Sequence, residues 1–362
     1  MKTRTRGILL GLVALLVLGV AFFLVRSKGG GVAAAPGDGS RQEPQAGRTP
    51  EEARADARPG STPPGKAKAP SPGGASARGE VIAELAWGTG PSELGHEIRQ
   101  EGNAEGPMSL TVDALGNVVV LDQTNERLVR LDSRGNPVGT LPLTQQVPQD
   151  ITQARDGTLV VLDRLKDKSV ALIHPDTGQL LGELPVEGKG IPEGGGITGT
   201  FVDGDSVYVE REHGTLVRIG DTSGKADPER PEIPGRPTRD GRSYITAGII
   251  DRENGRVFVN AIDRQSGENR YTREYRLQVP LLYLNLLDTD RAGTIYLGMV
   301  GESGLRLYCL APEDGRILGQ AELPRETMPE ETFRDLVVLE TGGVVYKQLT
   351  RTGVILRQAH CQ

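Results

Sequence analysis

The stretch Leu115–Asp122, which reads LGNVVVLD, places a glycine turn ahead of an apolar run that ends on an acidic residue. The same phrase returns as DGTLVVLD at 156–163 and as DGDSVYVE at 203–210. Three weaker copies follow, and the turn glycines of all six are Gly116, Gly157, Gly204, Gly255, Gly293 and Gly342. Their mean spacing of about 45 residues matches the period of four-stranded propeller blades.

A second sequence pattern, a glycine turn followed by alternating apolar positions, marks the fourth strand of these units and predicts how the ring closes. It occurs at Gly135–Leu141, Gly178–Leu184 and Gly315–Ala321. The same phrase appears ahead of the first unit, at Gly79–Leu85, whereas the last unit has room for only three strands. If the N-terminal strand completes the last blade, the ring closes and the two free sheet edges that a linear array would expose are removed. We therefore predict an all-β, six-bladed β-propeller over residues 79–362, closed by an N-terminal strand.

Composition excludes several classes of protein. The chain has 362 residues, of which 49 are Gly and 24 are Pro, too many for a mainly helical fold. A net charge of −6 gives no reason to expect a nucleic-acid partner. Two Cys and four scattered His do not fit any Cys/His spacing typical of structural zinc.

The N-terminal sequence predicts a membrane attachment. Residues 7–25 are uncharged, three basic residues precede them, and Arg26 and Lys28 follow. A helix of this length would span roughly 28 Å, close to the hydrocarbon thickness of a bilayer. We predict a signal anchor over 1–28; a cleaved secretory signal is the alternative. The excess of positive charge ahead of the apolar run places the rest of the chain outside the cytoplasm.

Residues 29–78 change abruptly to Gly, Pro, Ala, Ser and charged residues, with Val32 the only large aliphatic side chain. Such a segment buries too little apolar surface to offset the entropy of ordering. We predict a disordered linker there. The predicted arrangement is a single-pass protein of the inner (cytoplasmic) membrane with its propeller in the periplasm.

The two cysteines are placed to form a disulfide. Cys309 lies near the end of the third strand of the fifth unit, and Cys361 follows the third strand of the sixth. A bond between neighbouring blades would suit an oxidising compartment. Two unrelated free thiols remain the alternative.

The first unit carries a family resemblance. Its residues 106–113 begin Gly-Pro and run into an apolar strand with Asp, and residues 122–127 read Asp-Gln-Thr-Asn-Glu-Arg before the third strand. This pattern resembles an NHL repeat, and the resemblance implies a propeller. The third and fourth units depart from it most, and we interpret residues 220–241, rich in Pro, Arg and Asp, as an exposed insertion.

Candidate binding residues fall in the loops that follow the second strands, where propellers commonly meet their ligands. They are Asp122, Asn125, Arg127, Asp163, Arg164, Glu210, Arg211, Asp263 and Lys347. No Gly-x-Ser-x-Gly elbow, phosphate loop or His-Glu-x-x-His motif is present, so no catalytic residue is assigned. Convergence of Asp122, Asp163 and Glu210 near the ring axis would allow Ca²⁺ binding; capping of the local turns is the alternative.

Two functional hypotheses follow from these features. The first is a membrane-tethered scaffold or sensor that binds proteins of a bacterial cell envelope, because an anchor, a linker and a ring come without a catalytic motif. The second is a calcium-dependent propeller hydrolase or lyase acting on a small molecule. No other cofactor is expected, and glycan binding is disfavoured by an aromatic content of only 4%.

Overall fold

A computed structural model describes residues 79–98, 104–212, 214–277, 280–302, 304–324 and 330–362. The predicted signal anchor at 1–28 and the linker at 29–78 lie outside these ranges. Within them, no helix has the length and apolar character needed to cross a membrane.

The regular secondary structure of the described residues is almost entirely β-strand. It opens with β1 (Glu80–Ala86) and β2 (Ala104–Glu105). Blade 1 contains β3 (Ser109–Val112), β4 (Val118–Asp122), β5 (Arg127–Leu131) and β6 (Pro137–Pro142). Blade 2 contains β7 (Asp150–Gln153), β8 (Leu159–Asp163), β9 (Ser169–Ile173) and β10 (Leu180–Pro185). Blade 3 contains β11 (Ile197–Asp203), β12 (Ser206–Arg211), β13 (Thr215–Asp221) and β14 (Glu232–Ile233).

The second half of the ring follows the same plan. Blade 4 contains β15 (Arg236–Pro237), β16 (Ser243–Asp251), β17 (Arg256–Asp263) and β18 (Asn269–Arg276). Blade 5 contains β19 (Leu281–Thr289), β20 (Ile295–Gly301), β21 (Gly304–Leu310) and β22 (Ile317–Leu323). After β23 (Glu330–Glu331), blade 6 is built from β24 (Leu336–Val338), β25 (Val344–Thr350), β26 (Gly353–Ala359) and β1. Strand β23 pairs in parallel with β2, and two short 3₁₀ helices occupy Gln123–Asn125 and Gly194–Gly196.

The ring closes as the sequence predicts, because β1 is the outer strand of blade 6. It runs antiparallel to β26, from Glu80 opposite Gln358 to Ala86 opposite Gly353. Leu85 is buried in one apolar cluster with residues of blades 6 and 1. The predicted all-β, six-bladed propeller is therefore confirmed.

The core lies between neighbouring blades, which explains the continuous apolar runs of the second strands. Each sheet packs on both faces, so all four residues 118–121 of β4 are buried rather than alternate ones. Five apolar clusters in the described part of the chain join blades 6 and 1, 1 and 2, 2 and 3, 4 and 5, and 5 and 6. None of the five spans blades 3 and 4, where Asp203 instead forms an ion pair with Arg264.

Blade 4 corrects two sequence interpretations. The Gly241 N–H donates to the Thr238 carbonyl (2.9 Å), the same turn that joins the first and second strands of blade 1 through Gly116 and Asp113. The repeat glycine of this blade is thus Gly241, and Gly255 lies one turn later, between the second and third strands. Residues 220–241 are not an insertion, because they contain β14 and β15.

The predicted disulfide is present and joins blades 5 and 6. Cys309 in β21 is bonded to Cys361, with their Cα atoms 6.2 Å apart. Beyond it, Gln362 and Gln320 of β22 exchange backbone hydrogen bonds of 3.1 and 3.2 Å. The segment after β26 therefore covers part of the outer edge of blade 5.

Candidate functional site

A cavity of about 690 Å³ opens on the face of the ring at which the second strands end, here called the 2–3 face. Blades 3 to 6 line it, and β15 is so short that the second strand of blade 4, β16, forms part of its wall. Its lining includes Glu210, Arg236, Tyr283, Leu286, Phe333 and Arg334. The cavity has the size of small-ligand sites, roughly 300–1,000 Å³.

Exposed apolar side chains extend the rim of this cavity. Tyr283 is 51% exposed, and Ile250 and Leu282, at the neighbouring ends of β16 and β19, are 46% and 40% exposed. The two ends are joined by a hydrogen bond of 3.1 Å from the Leu281 N–H to the Arg252 carbonyl. These three residues, called the rim triad below, place an apolar patch beside the cavity mouth.

The candidates of blade 1 hold the chain that enters that blade. Asp122 is fully buried and accepts hydrogen bonds of 2.8 Å from Gly95 N–H, Asn125 Nδ2 and Arg127 Nε. Arg127 also donates to the carbonyls of three residues in the segment 88–95. Asp122, Asn125 and Arg127 thus form one internal network that fixes the segment between β1 and blade 1.

The candidates of blade 2 play a similar part. Asp163 is fully buried and accepts from the N–H of Val147 (2.7 Å) and of Lys166 (2.8 Å). Arg164 donates to the Ile197 carbonyl at the start of blade 3 (2.6 Å), and its guanidinium lies 5.1 Å from the centre of the Phe333 ring. Arg164 therefore links blade 2 to blade 3 and to a wall of the cavity.

Among the candidates of blade 3, Glu210 forms an ion pair with a residue of the next blade. Its carboxylate pairs with Arg236 (2.8 Å), which in turn donates to the Leu287 carbonyl of blade 5 (2.7 Å). Arg211 donates to the Gly190 carbonyl (2.6 Å) and pairs with Glu232. Of the nine candidates, all within the described residues, only Glu210 lines the cavity.

The positions of Asp263 and Lys347 correct the sequence assignment to loops after second strands. Asp263 ends the third strand of blade 4 and lies on the opposite face, where it caps its own turn. The Ser266 N–H bonded to this carboxylate lowers the pKa of Asp263. Lys347 lies inside β25 with its side chain fully buried, and its Nζ donates to Thr332 Oγ1 (2.8 Å) and to the Pro107 carbonyl.

An arginine and an aspartate at the ring axis join four blades. Asp150 of β7 is fully buried and accepts from Arg334 Nε (2.9 Å) and Nη2 (2.6 Å), from Ser109 Oγ (2.7 Å) and from the Thr200 N–H (2.8 Å). Burial alone would raise the pKa of Asp150, but the Arg334 guanidinium and these hydrogen bonds outweigh burial and lower it. The carboxylate is thus held in its charged form.

Sequence reasoning missed Asp150, Arg236 and Arg334. Their partners are distant along the chain: Arg334 and Asp150 are 184 residues apart. One local signal was available, since Asp150 opens the buried first strand of its blade, where an unpaired carboxylate would be costly.

The described residues contain no group of three or more His, Cys, Asp or Glu that could hold a metal ion. Asp122, Asp163 and Glu210 instead have separate partners, respectively Arg127, backbone amides and Arg236. The hydrogen bonds of Asp163 agree with the alternative to Ca²⁺ binding, in which the carboxylate caps its own turn.

No protein-family model and no curated protein sequence matches the chain. The resemblance of the first unit to an NHL repeat therefore stays at the level of a pattern, while the six-bladed ring is established by strand pairing.

Several solved structures are similar in fold. Hydrazine synthase from Kuenenia stuttgartiensis matches 66% of this chain and 72% of its own, at 15% identity and a TM-score of 0.43. BamB from Moraxella catarrhalis matches 77% of this chain and 96% of its own, at 13% identity and a TM-score of 0.40. A streptogramin B lyase matches 73% and 86%, at 16% identity and a TM-score of 0.40. Similarity at this level carries no inference about activity or partners.

Proposed function

We propose that this chain is a membrane-tethered binding protein of a bacterial cell envelope, in which the 2–3 face of the propeller holds a partner protein as a scaffold or sensor. The observation that carries the proposal is the cavity of about 690 Å³ with the rim triad Ile250, Leu282 and Tyr283 beside it. A concave site flanked by exposed apolar and aromatic side chains is typical of protein-binding surfaces.

The charges of the cavity support binding rather than catalysis. Glu210 is paired with Arg236, and Arg334 with Asp150. Groups engaged in such pairs hold the blades together and are poorly placed to exchange protons with a substrate.

The attachment point of the linker is compatible with this role. Gly79, the first described residue, precedes β1 beside Gln358, at the end of β26 on the face opposite the cavity. The described chain thus begins, at residue 79, on the side of the ring away from the proposed binding face.

The test is cross-linking of the full-length protein in its native membranes. A variant with Ile250→Ala, Leu282→Ala and Tyr283→Ala should lose specific cross-linked partners. The matched control replaces three apolar residues of similar exposure on outer strands, Leu181→Ala, Ile317→Ala and Leu318→Ala, and should keep them. Identical partner sets for the wild type and both variants would refute a binding role for this face.

A further inference from the structure

Blade 4 has an incomplete inner edge. Strand β15 pairs with β16 only at Pro237 opposite Tyr244 and Arg236 opposite Ile245. On its other side, β16 is paired with β17 along its length, from Ser243 to Asp251. Beyond Ile245, therefore, β16 is an edge strand whose free side faces the cavity lined by Ala247 and Gly248.

The direction of the backbone groups follows from the flanking hydrogen bonds. The Thr238 N–H donates to the Ser243 carbonyl on the inner side, whereas the Arg264 N–H donates to the Arg242 carbonyl on the outer side. Since neighbouring residues of an antiparallel strand point in alternate directions, Ala247 and Ile249 present their N–H and C=O groups inward. Neither residue has an inner strand partner in the described part of the chain.

The walls around this edge define what would fit. Leu284, Leu286 and Phe333 supply apolar surface. The charged groups are already paired, Glu210 with Arg236, Arg334 with Asp150, and Asp335 with Lys347. A charged side chain entering the cavity would lose its hydration without gaining a free counter-charge. The complementary occupant is an uncharged extended backbone with apolar side chains.

We propose that an extended, uncharged segment of a partner protein binds as an added inner strand on β16, taking its main-chain hydrogen bonds from Ala247 and Ile249. This inference rests on the proposed function and names the chemistry of the partner. Strand addition to an exposed sheet edge is a common mode of peptide recognition, in which main-chain bonds give affinity and side-chain pockets give selectivity. Residues 246–249 offer about 13 Å of edge at about 3.3 Å per residue.

The first experiment measures amide hydrogen exchange in the full-length protein. The Ala247 and Ile249 amides should exchange rapidly, while the intervening Gly248 amide, which points to β17, is protected. An acetylated and amidated pentapeptide of alternating Val and Thr is then added. It should slow exchange at Ala247 and Ile249 specifically. Protection of these two amides before the peptide is added, or no change after it, would overturn the inference.

The second experiment uses a matched pair of variants in peptide titrations. Ala247→Pro removes the inward N–H and leaves the ladder with β17 intact, since proline is tolerated where a strand edge is open. It should weaken peptide binding by about tenfold or more, the effect of one lost hydrogen bond and an unpaired acceptor. Ala247→Val has a similar side-chain size, keeps the N–H and should bind like the wild type. Equal binding by both variants would contradict strand addition.

The same variants separate the two proposals in native membranes. If the rim-triad variant loses cross-linked partners but Ala247→Pro retains them, the face binds proteins and the strand-addition inference fails. If the rim-triad variant also retains every partner, the proposed function itself fails. A pentapeptide carrying Asp at its central position should bind more weakly than the neutral one, and equal or tighter binding would refute the charge argument.

Discussion

Two carboxylates that resemble ligands in the sequence, those of Asp122 and Asp163, instead hold chain segments in place. Asp122 accepts the N–H of Gly95, and Asp163 accepts the N–H of Val147. In both cases the donor belongs to the segment that enters the same blade, so the acidic residue that ends a second strand holds the start of its own repeat. Such a carboxylate makes its hydrogen bonds within the protein and is therefore poorly placed to bind a ligand.

The substitution Asp122→Ala should lower the free energy of unfolding by about 3–5 kcal/mol, because it leaves the Arg127 cation without its buried counter-charge. Urea denaturation of the wild type and the variant measures the difference. Asp263→Ala is the matched control: that carboxylate caps an exposed turn, so its removal should lower the free energy of unfolding by clearly less than Asp122→Ala does. Equal losses in both variants would contradict the role assigned to Asp122.

The buried Asp150 should make the stability of the folded protein depend on pH. Its pKa is lowered by Arg334, so the stabilisation is fully present above the ordinary aspartate value of about 3.9 and is lost as the pH falls through the lower folded-state pKa. Asp150→Asn should therefore unfold more easily at pH 7 and lose stability less steeply below about pH 4. Thermal unfolding across pH 2 to 7 checks this; parallel profiles for both proteins would disprove it.

At the element scale, the closing strand depends on close backbone approach. A Cβ on Gly353 would meet the Leu85 carbonyl oxygen of β1 at 2.0 Å. Gly139 in β6 has a similar dihedral angle, φ of +149° against +154°, but a Cβ placed there would have open space within 4 Å. The two glycines thus have similar φ angles but differ in the space available to a side chain.

This pair gives a matched prediction. Gly353→Ala and Gly139→Ala both place a side chain at a similar positive φ angle, but only Gly353→Ala also pushes β1 away from β26. The Gly353 variant should be less stable than the Gly139 variant by about 1–3 kcal/mol, the usual cost of overpacking. The denaturant midpoints of the two variants test this prediction. Equal midpoints would show that β1 shifts without a loss of stability.

At the scale of the whole molecule, the disulfide ties blade 5 to blade 6 across 52 residues of sequence. Reduction should lower the free energy of unfolding by up to about 4 kcal/mol, the entropy of a loop of this length in the unfolded chain. Calorimetry with and without reductant tests this. The variant Cys309→Ser with Cys361→Ser should match the reduced wild type and be insensitive to reductant. A melting temperature unchanged by reductant would count against any stabilising role.

The sequence was informative where a blade is regular and uninformative where it is not. Apolar second strands and glycine turns predicted the number of blades, the closing strand and the cysteine pair. Residues 220–241 were misread because β14 of blade 3 and β15 of blade 4 have only two residues each, too few to show an alternating pattern, and β15 consists of Arg and Pro. That same short β15 leaves the inner edge of β16 open, which is why the cavity was not foreseen.

The candidate site was only partly predictable, for a different reason. Glu210 was found because it repeats the position of Asp122 and Asp163. Arg236 meets Glu210 in the preceding blade, 26 residues away, and Arg334 meets Asp150 across the ring, 184 residues away; no local pattern encodes such contacts. The rim triad is likewise assembled from two strands that a sequence reading does not place side by side.

Ring closure also sets an order of events during synthesis. Trp87, directly after β1, donates its indole N–H to the Thr350 carbonyl, a partner 263 residues later. At about 5–20 residues per second, a ribosome needs roughly 13–50 seconds to deliver that partner. Throughout this interval β1 has no strand to pair with, and blade 1 lacks its neighbour blade 6. Folding of the complete ring is consequently a late event, governed by a contact of very high sequence separation, and slow on that account.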